Sequence, residues 1–108
     1  MHGMAIIISP AGEFTEHHLT EPPSVPRLQE WVGGYIERVP LFTSYTQEDR
    51  TFECVTYCDE EGKLKGKHRN PEATALWMIA ALPHSITPDF LVGDVVILFG
   101  DDAFLEAL

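Results

Sequence analysis

The side chains in this sequence that could do chemistry are two cysteines, two adjacent histidines, a glutamate beyond a double glycine and a run of alternating cations. Cys54 and Cys58 lie four residues apart on a stretch that reads as a strand. At the usual strand rise their α-carbons are about 13 Å apart. A disulfide needs roughly 7 Å or less, so they cannot bridge each other. A single C-x-x-x-C pair supplies half a zinc site at unusual spacing, and the two read as reduced, buried thiols. His17 and His18 are consecutive on a predicted strand, so their rings point to opposite faces, one exposed and one partly buried. Ser9, Ser24, Ser44 and Ser85 lack a G-x-S-x-G setting. Gly33-Gly34 follows a helical pattern instead of opening one, unlike a phosphate loop. Asp59-Glu60-Glu61 lacks the spacing of a calcium loop and reads as a hairpin tip. These patterns assign no catalytic residue, no metal ligand and no cofactor.

The remaining candidates are for binding. Glu37 stands between Tyr35 and Arg38 just after the paired glycines; buried, it would need a partner, and exposed, it is an edge charge. Lys63, Lys65, Lys67 and Arg69 alternate with Leu64, Gly66 and His68. Such a run can clamp a phosphate or carboxylate, or pair with acids of its own chain.

The elements that position these residues are legible in outline. Met4–Ser9, with Ile6, Ile7 and Ile8 in sequence, predicts a strand buried on both faces. Pro10-Ala11-Gly12 turns the chain into a second strand over Glu13–Leu19. Ser24–Gly33 predicts a short helix with Ser24 as N-cap, an apolar stripe of Val25, Leu28 and Val32, and a glycine end. Tyr35–Phe42 alternates like a strand, with Pro40 marking an edge or an end. Thr43–Arg50 reads as a polar, turn-like segment, Thr51–Cys58 as one strand and Lys63–Lys67 as a short returning strand. Asn70-Pro71-Glu72 is a strong helix start. The helix it opens, Pro71–Leu82, is apolar almost all round, which predicts a place in the core or at a second subunit. Val95–Phe99 is a further strand, and Ala103–Leu108 a short helix or strand. The sum is α+β: a small, mostly antiparallel sheet of about five or six strands packed on one or two helices. One domain accounts for residues 1–108, with a core over about 4–99 and 100–108 as a terminal extension.

Composition sets the outer bounds. The chain has 108 residues, 44% hydrophobic and 22% charged, close to the globular average. No apolar run approaches the ~20 residues of a membrane span, and no signal-peptide pattern stands at the start, so a cytoplasmic protein is expected. Seventeen acids face seven bases, a formal net charge of −10. Residues 73–108 contain no Lys or Arg at all. That field repels phosphate and argues against direct nucleic-acid binding. It suits solubility or a basic partner.

The segment Leu28-Gln29-Glu30-Trp31-Val32-Gly33-Gly34-Tyr35-Ile36-Glu37 resembles one typical of the domain of unknown function 3846 family. The resemblance continues in Asp59–Leu64, in Asn70 with Ala73 and Thr74, and in Val92–Val96. It covers roughly residues 5–99 in order, while Thr43–Arg50 and Gly100–Leu108 depart from it. It implies a small accessory protein of a bacteriophage, plasmid or related mobile element in a bacterial cell, and no reaction. The polar positions it matches are Gln29, Tyr35, Glu37, Asn70, Thr74 and Asp94.

Three functions compete. The first is a non-enzymatic interaction protein whose acidic surface meets a basic host or element-encoded protein, one that handles nucleic acid being a natural target. The second is a small-ligand binding domain with a pocket near Glu37 and Lys63–Asn70. The third is a hydrolytic or metal enzyme using Glu37, Asp94, His17 or His18, which no triad or ligand spacing supports. A homodimer is compatible with all three, given the apolar helix Ala73–Leu82 and the exposed edge that Pro40 suggests.

Overall fold

Two short apolar runs, Met4–Ile8 and Val95–Phe99, become the middle of the sheet. In the computed structural model, which describes residues 1–108, β1 (Gly3–Ile8) pairs antiparallel with β7 (Val95–Gly100), Ile6 opposite Ile97. β2 (Phe14–Leu19) closes one edge by a hairpin onto β1. On the other side β6 (Val55–Asp59) pairs with β7, and β3 (Ile36–Arg38) forms the far edge against β6. The order is β2-β1-β7-β6-β3, every pairing antiparallel. β4 (Ser44–Gln47) and β5 (Arg50–Glu53) make a separate two-stranded hairpin.

Three helices cover this sheet. α1 (Val25–Val32) and α3 (Asp102–Glu106) lie on one face, closing a cluster of Ala5, Leu28, Val32, Val96, Leu98 and Phe104. α2 (Pro71–Ala81) and the β4–β5 hairpin cover the opposite face around Ile6, Ile8, Tyr45, Trp77, Val95 and Ile97. Cover on both sides is why β1 and β7 carry consecutive apolar residues instead of alternating ones. The expected α+β architecture is present, with a third helix and the separate hairpin added. No helix is long and apolar enough to cross a membrane.

The helix ends follow their local signals. Ser24 accepts from the Arg27 amide at 3.3 Å, and Gly33 closes α1 in the left-handed region at φ 76°. Asn70 Oδ1 accepts from the Ala73 amide at 3.1 Å, with Pro71 at the first helical position. Both are as the sequence predicts.

Four expectations need correction. The strand expected over Tyr35–Phe42 stops at Arg38, because Pro40 has no amide to donate and the chain turns with Leu41 at φ 62°. Thr43–Arg50 is not turn-like throughout: Ser44–Gln47 is a strand that buries Tyr45, and only the tip around Glu48 turns. The single strand Thr51–Cys58 is divided at Cys54, whose thiol turns into the core beside the Phe42 carbonyl. Lys63–Lys67 makes successive turns and no strand, with Lys65 and Lys67 drawn back to the Asp59 carboxylate that precedes them. Within the tail, Phe104 is fully buried in the core.

Candidate functional site

Asp59, at the end of β6, organises the region where most candidate residues lie. Its side chain is fully buried. Oδ2 meets Lys67 Nζ at 2.7 Å and Lys65 Nζ at 2.9 Å, and Oδ1 accepts from the Glu61 amide at 2.9 Å. Lys67 also donates to the Val32 carbonyl at 2.8 Å, and Lys65 to the Gly33 carbonyl at 3.2 Å. The two ammonium groups therefore cap the C-terminal carbonyls of α1 and join that helix to β6. Burial by itself pushes the Asp59 carboxyl up. The hydrogen bonds from Lys67, Lys65 and the Glu61 amide outweigh it and bring the group down to about 2. A carboxylate held ionised in this way is an anchor, not a proton carrier near neutral pH.

The other cations are also engaged within the chain. Lys63 Nζ lies 2.7 Å from Asp89 Oδ2 and 4.3 Å from the Phe90 ring centre. Arg69 stacks over the same ring at 4.0 Å. Arg27 lies over Trp31, Arg38 over Tyr57 and Arg50 over Phe52.

Asn70 and Thr74 are built into the scaffold. Asn70 is fully buried and donates to the carbonyls of Ile8 and Gly93 at 2.8 and 2.9 Å. Thr74 Oγ1 donates to the Asn70 carbonyl at 2.7 Å and accepts from the Leu91 amide at 3.0 Å. Together they tie the start of α2 to β1 and to the segment entering β7. Asp94 is half-buried in that segment and forms no ion pair. Tyr35 is 64% exposed and lines a shallow hollow with Gln29, Gly34, Glu61 and Lys65.

Glu37 and Lys63 come together in a different place. A cleft of about 220 Å³ opens between the β3–β6 edge, α2 and the segment before β7. Glu37 and Cys58, opposite each other on β3 and β6, line it with Glu60, Lys63, Trp77 and Phe90. Trp77 is fixed by its indole N–H, which donates to the Pro40 carbonyl at 2.8 Å. Burial, then the nearby Glu37 and Asp59 carboxylates, push the Cys58 thiol up to about 11, with Lys63 and Lys67 opposing. That keeps it in the thiol form, the weaker nucleophile, at neutral pH. Cys54, buried and next to Thr56, is likewise raised to about 11, mainly by burial. Both cysteines are free. No group of three or more His, Cys, Asp or Glu side chains is placed to hold a metal ion. His17 is half-buried and stacks on Trp31 at 5.1 Å, while His18 is exposed.

Of the sequence candidates, the cleft gathers Glu37 and Lys63. Lys65, Lys67 and Asn70 are structural, and Arg69, Thr74, Tyr35 and Asp94 stand outside it. Cys58, Glu60, Trp77 and Phe90 were not expected there. The one local sign was Cys58, placed by strand alternation on the face that also carries Cys54.

The fold and site define a small α+β protein with a closed core, a carboxylate-anchored basic turn and an open, acid-rimmed cleft. The chain belongs to the family described as Domain of unknown function (DUF3846), whose model matches residues 1–106. Searches among curated proteins and among solved structures gave no match.

Proposed function

We propose that this chain is a non-enzymatic interaction protein whose acidic surface binds a basic protein partner. The observation that carries the reading is the division of charge. All three lysines are in ion pairs, and all four arginines lie over aromatic rings of the same chain. Among the 17 acids, only Asp59, Asp89 and Asp101 are ion-paired; the rest carry no counter-charge, and all of those but Asp94 are exposed. The net −10 is thus presented outward by carboxylates. Such a surface accelerates and orients encounter with a cationic one. With this reading go a cytoplasmic location in a bacterial cell and an accessory role for a phage or other mobile element. The partner's cationic face would be one it otherwise uses for nucleic acid.

The test is capture from bacterial lysate on the immobilised full chain, with and without nuclease, followed by mass spectrometry. The expected result is a stoichiometric basic protein that survives nuclease and is released as salt rises through a few hundred millimolar. No retained protein even at about 20 mM salt, where the Debye length exceeds 20 Å, overturns the reading.

The cleft favours a second reading, a small-ligand site, because it joins Glu37 and Lys63. Its volume of about 220 Å³ is below the roughly 300–1,000 Å³ of common small-molecule sites, which puts this reading second.

A further inference from the structure

The buried side of α2 is made of Ala73, Trp77, Ala80 and Ala81. Its other side is also apolar but faces solvent. Ala75, Met78, Ile79 and Leu82 fall on one stripe at helical spacing, and a further exposed apolar side chain, Ile86, follows the short 3-10 turn Leu82–His84. Met78 and Ile79 are nearly half exposed, Ile86 is 54% exposed and Leu82 is 71% exposed. Contiguous apolar surface of this kind marks an interaction site in soluble proteins.

Two features of the chain identify the occupant. The first is charge. Residues 73–88 contain no Asp, Glu, Lys or Arg, in a chain of net −10. Two copies approaching by any carboxylate-bearing face repel each other, and this face is where that repulsion is least. The second is shape. Beside the N-terminal half of the stripe lies a hollow of about 260 Å³, lined by Pro71, Thr74, Ala75, Met78 and Phe90 with Arg69 at its rim. At the other end stands Leu82, the most exposed apolar side chain of the stripe. From Ala75 to Leu82 is seven residues, about 10 Å along the axis. A two-fold axis near Met78 and Ile79 sets two α2 helices antiparallel and brings each Leu82 to the other copy's hollow. An isologous interface requires that self-complementarity, and the small Ala75 lets the helices approach closely.

We infer that the outer face of α2 is a homodimer interface, with Leu82 of each copy seated beside Ala75 and Met78 of the other. This goes beyond the charge-based reading and does not rest on it.

Sedimentation velocity on the full chain, over about 5–500 μM and at low and high salt, tests it. The expected mass rises from 12.1 kDa toward twice that value with concentration. Dimerisation tightens as salt rises, the reverse of binding to a basic partner, because screening removes self-repulsion. The variant Met78→Glu with Leu82→Asp keeps its circular dichroism, since both side chains face solvent, and weakens the dimer at least tenfold. Under mild oxidation Met78→Cys forms a disulfide-linked dimer and Glu72→Cys does not, with the unmodified chain as control for Cys54 and Cys58. A mass fixed at 12.1 kDa across the range overturns the inference. So does a dimer indifferent to the double substitution, or preferential cross-linking at position 72.

Discussion

Asp59 shows how one buried residue can account for half of a run of charge. The four cations between positions 63 and 69 look like a ligand clamp, yet two of them converge on this buried carboxylate and on the end of α1. The consequence is a defined pH dependence. Burial raises the Asp59 carboxyl, and the Lys67, Lys65 and Glu61 hydrogen bonds lower it further, to about 2 from an ordinary 3.8. A carboxyl depressed by folding adds stability at pH values above its unfolded pKa, and that stability drains away as pH falls through the folded pKa. The window is therefore about pH 4 down to about 2, and the contribution at neutral pH is on the order of 2 kcal/mol. Asp59→Asn is expected to lose about that much at pH 7 and to show a shallower decline between pH 4 and 2 than the parent. Denaturant unfolding across that range measures both, and parallel acid limbs would show that the pairing holds no such energy. The caps at Ser24, Gly33 and Asn70 were legible because each acts on neighbours within a few residues. The role of Asp59 was not, because its partners follow it in a turn that reads locally as a strand, and the carbonyls they cap are more than thirty residues away.

At the scale of elements, the same division between local and distant signals holds. Apolar runs and the turn at Pro10–Gly12 identified β1, β2 and β7 within a residue or two, alternation found β5 and β6 only as one strand, and the consecutive isoleucines of β1 announced cover on both faces. What alternation could not give was where a strand breaks. Cys54 continues the pattern of Phe52 and Thr56, so the division between β5 and β6 is invisible until the hairpin packs on α2. The tail shows the point more sharply. α3 is five residues long, too short to be stable alone, and is held by Phe104 over the end of β1 and β7, where Gly3 pairs with Gly100. A β-carbon at Gly3 would collide with the Phe104 ring, while one at Gly100 would meet the His2 carbonyl at 2.5 Å and Gly3 Cα at 2.7 Å. Phe104→Ala is expected to lose about 3–5 kcal/mol. Gly3→Ala is expected to destabilise the parent but cost much less in the Phe104→Ala background, because the added methyl enters the vacated space. Gly100→Ala should show much less rescue, since removing the ring, at 2.8 Å, still leaves the two closer backbone atoms in its way. A double-mutant cycle by denaturant unfolding separates the two, and equal costs of Gly3→Ala in both backgrounds would mean the ring does not seal the sheet end.

For the whole molecule, the charge balance decides how the surface behaves. Net charge was legible from composition, but its consequence depends on where the few cations go. They are bound to the chain's own acids and rings, which leaves a shell of carboxylates around a neutral α2 face. Such a shell opposes compaction through self-repulsion. Added salt acts on two opposing effects. It screens the exposed carboxylates, which stabilises the fold, and it weakens ion pairs, which destabilises it. The exposed Lys63–Asp89 pair is worth little, as solvent-screened surface pairs are. The Asp59 pairs end on a buried carboxylate, where mobile ions reach poorly. Repulsion is therefore the more salt-sensitive of the two effects. The melting temperature of the full chain should rise by several degrees between about 20 and 500 mM NaCl, since about 1 kcal/mol moves a domain of this size by roughly 4–8 °C. It is to be measured below the concentration at which α2 faces associate, so that dimerisation does not contribute. A chain whose stability rested on surface ion pairs would melt lower in salt, and that outcome would mean the carboxylate shell is compensated in a way its geometry does not support. A rise shared by Met78→Glu with Leu82→Asp would assign the effect to the shell. A rise lost in that variant would assign it to association through α2.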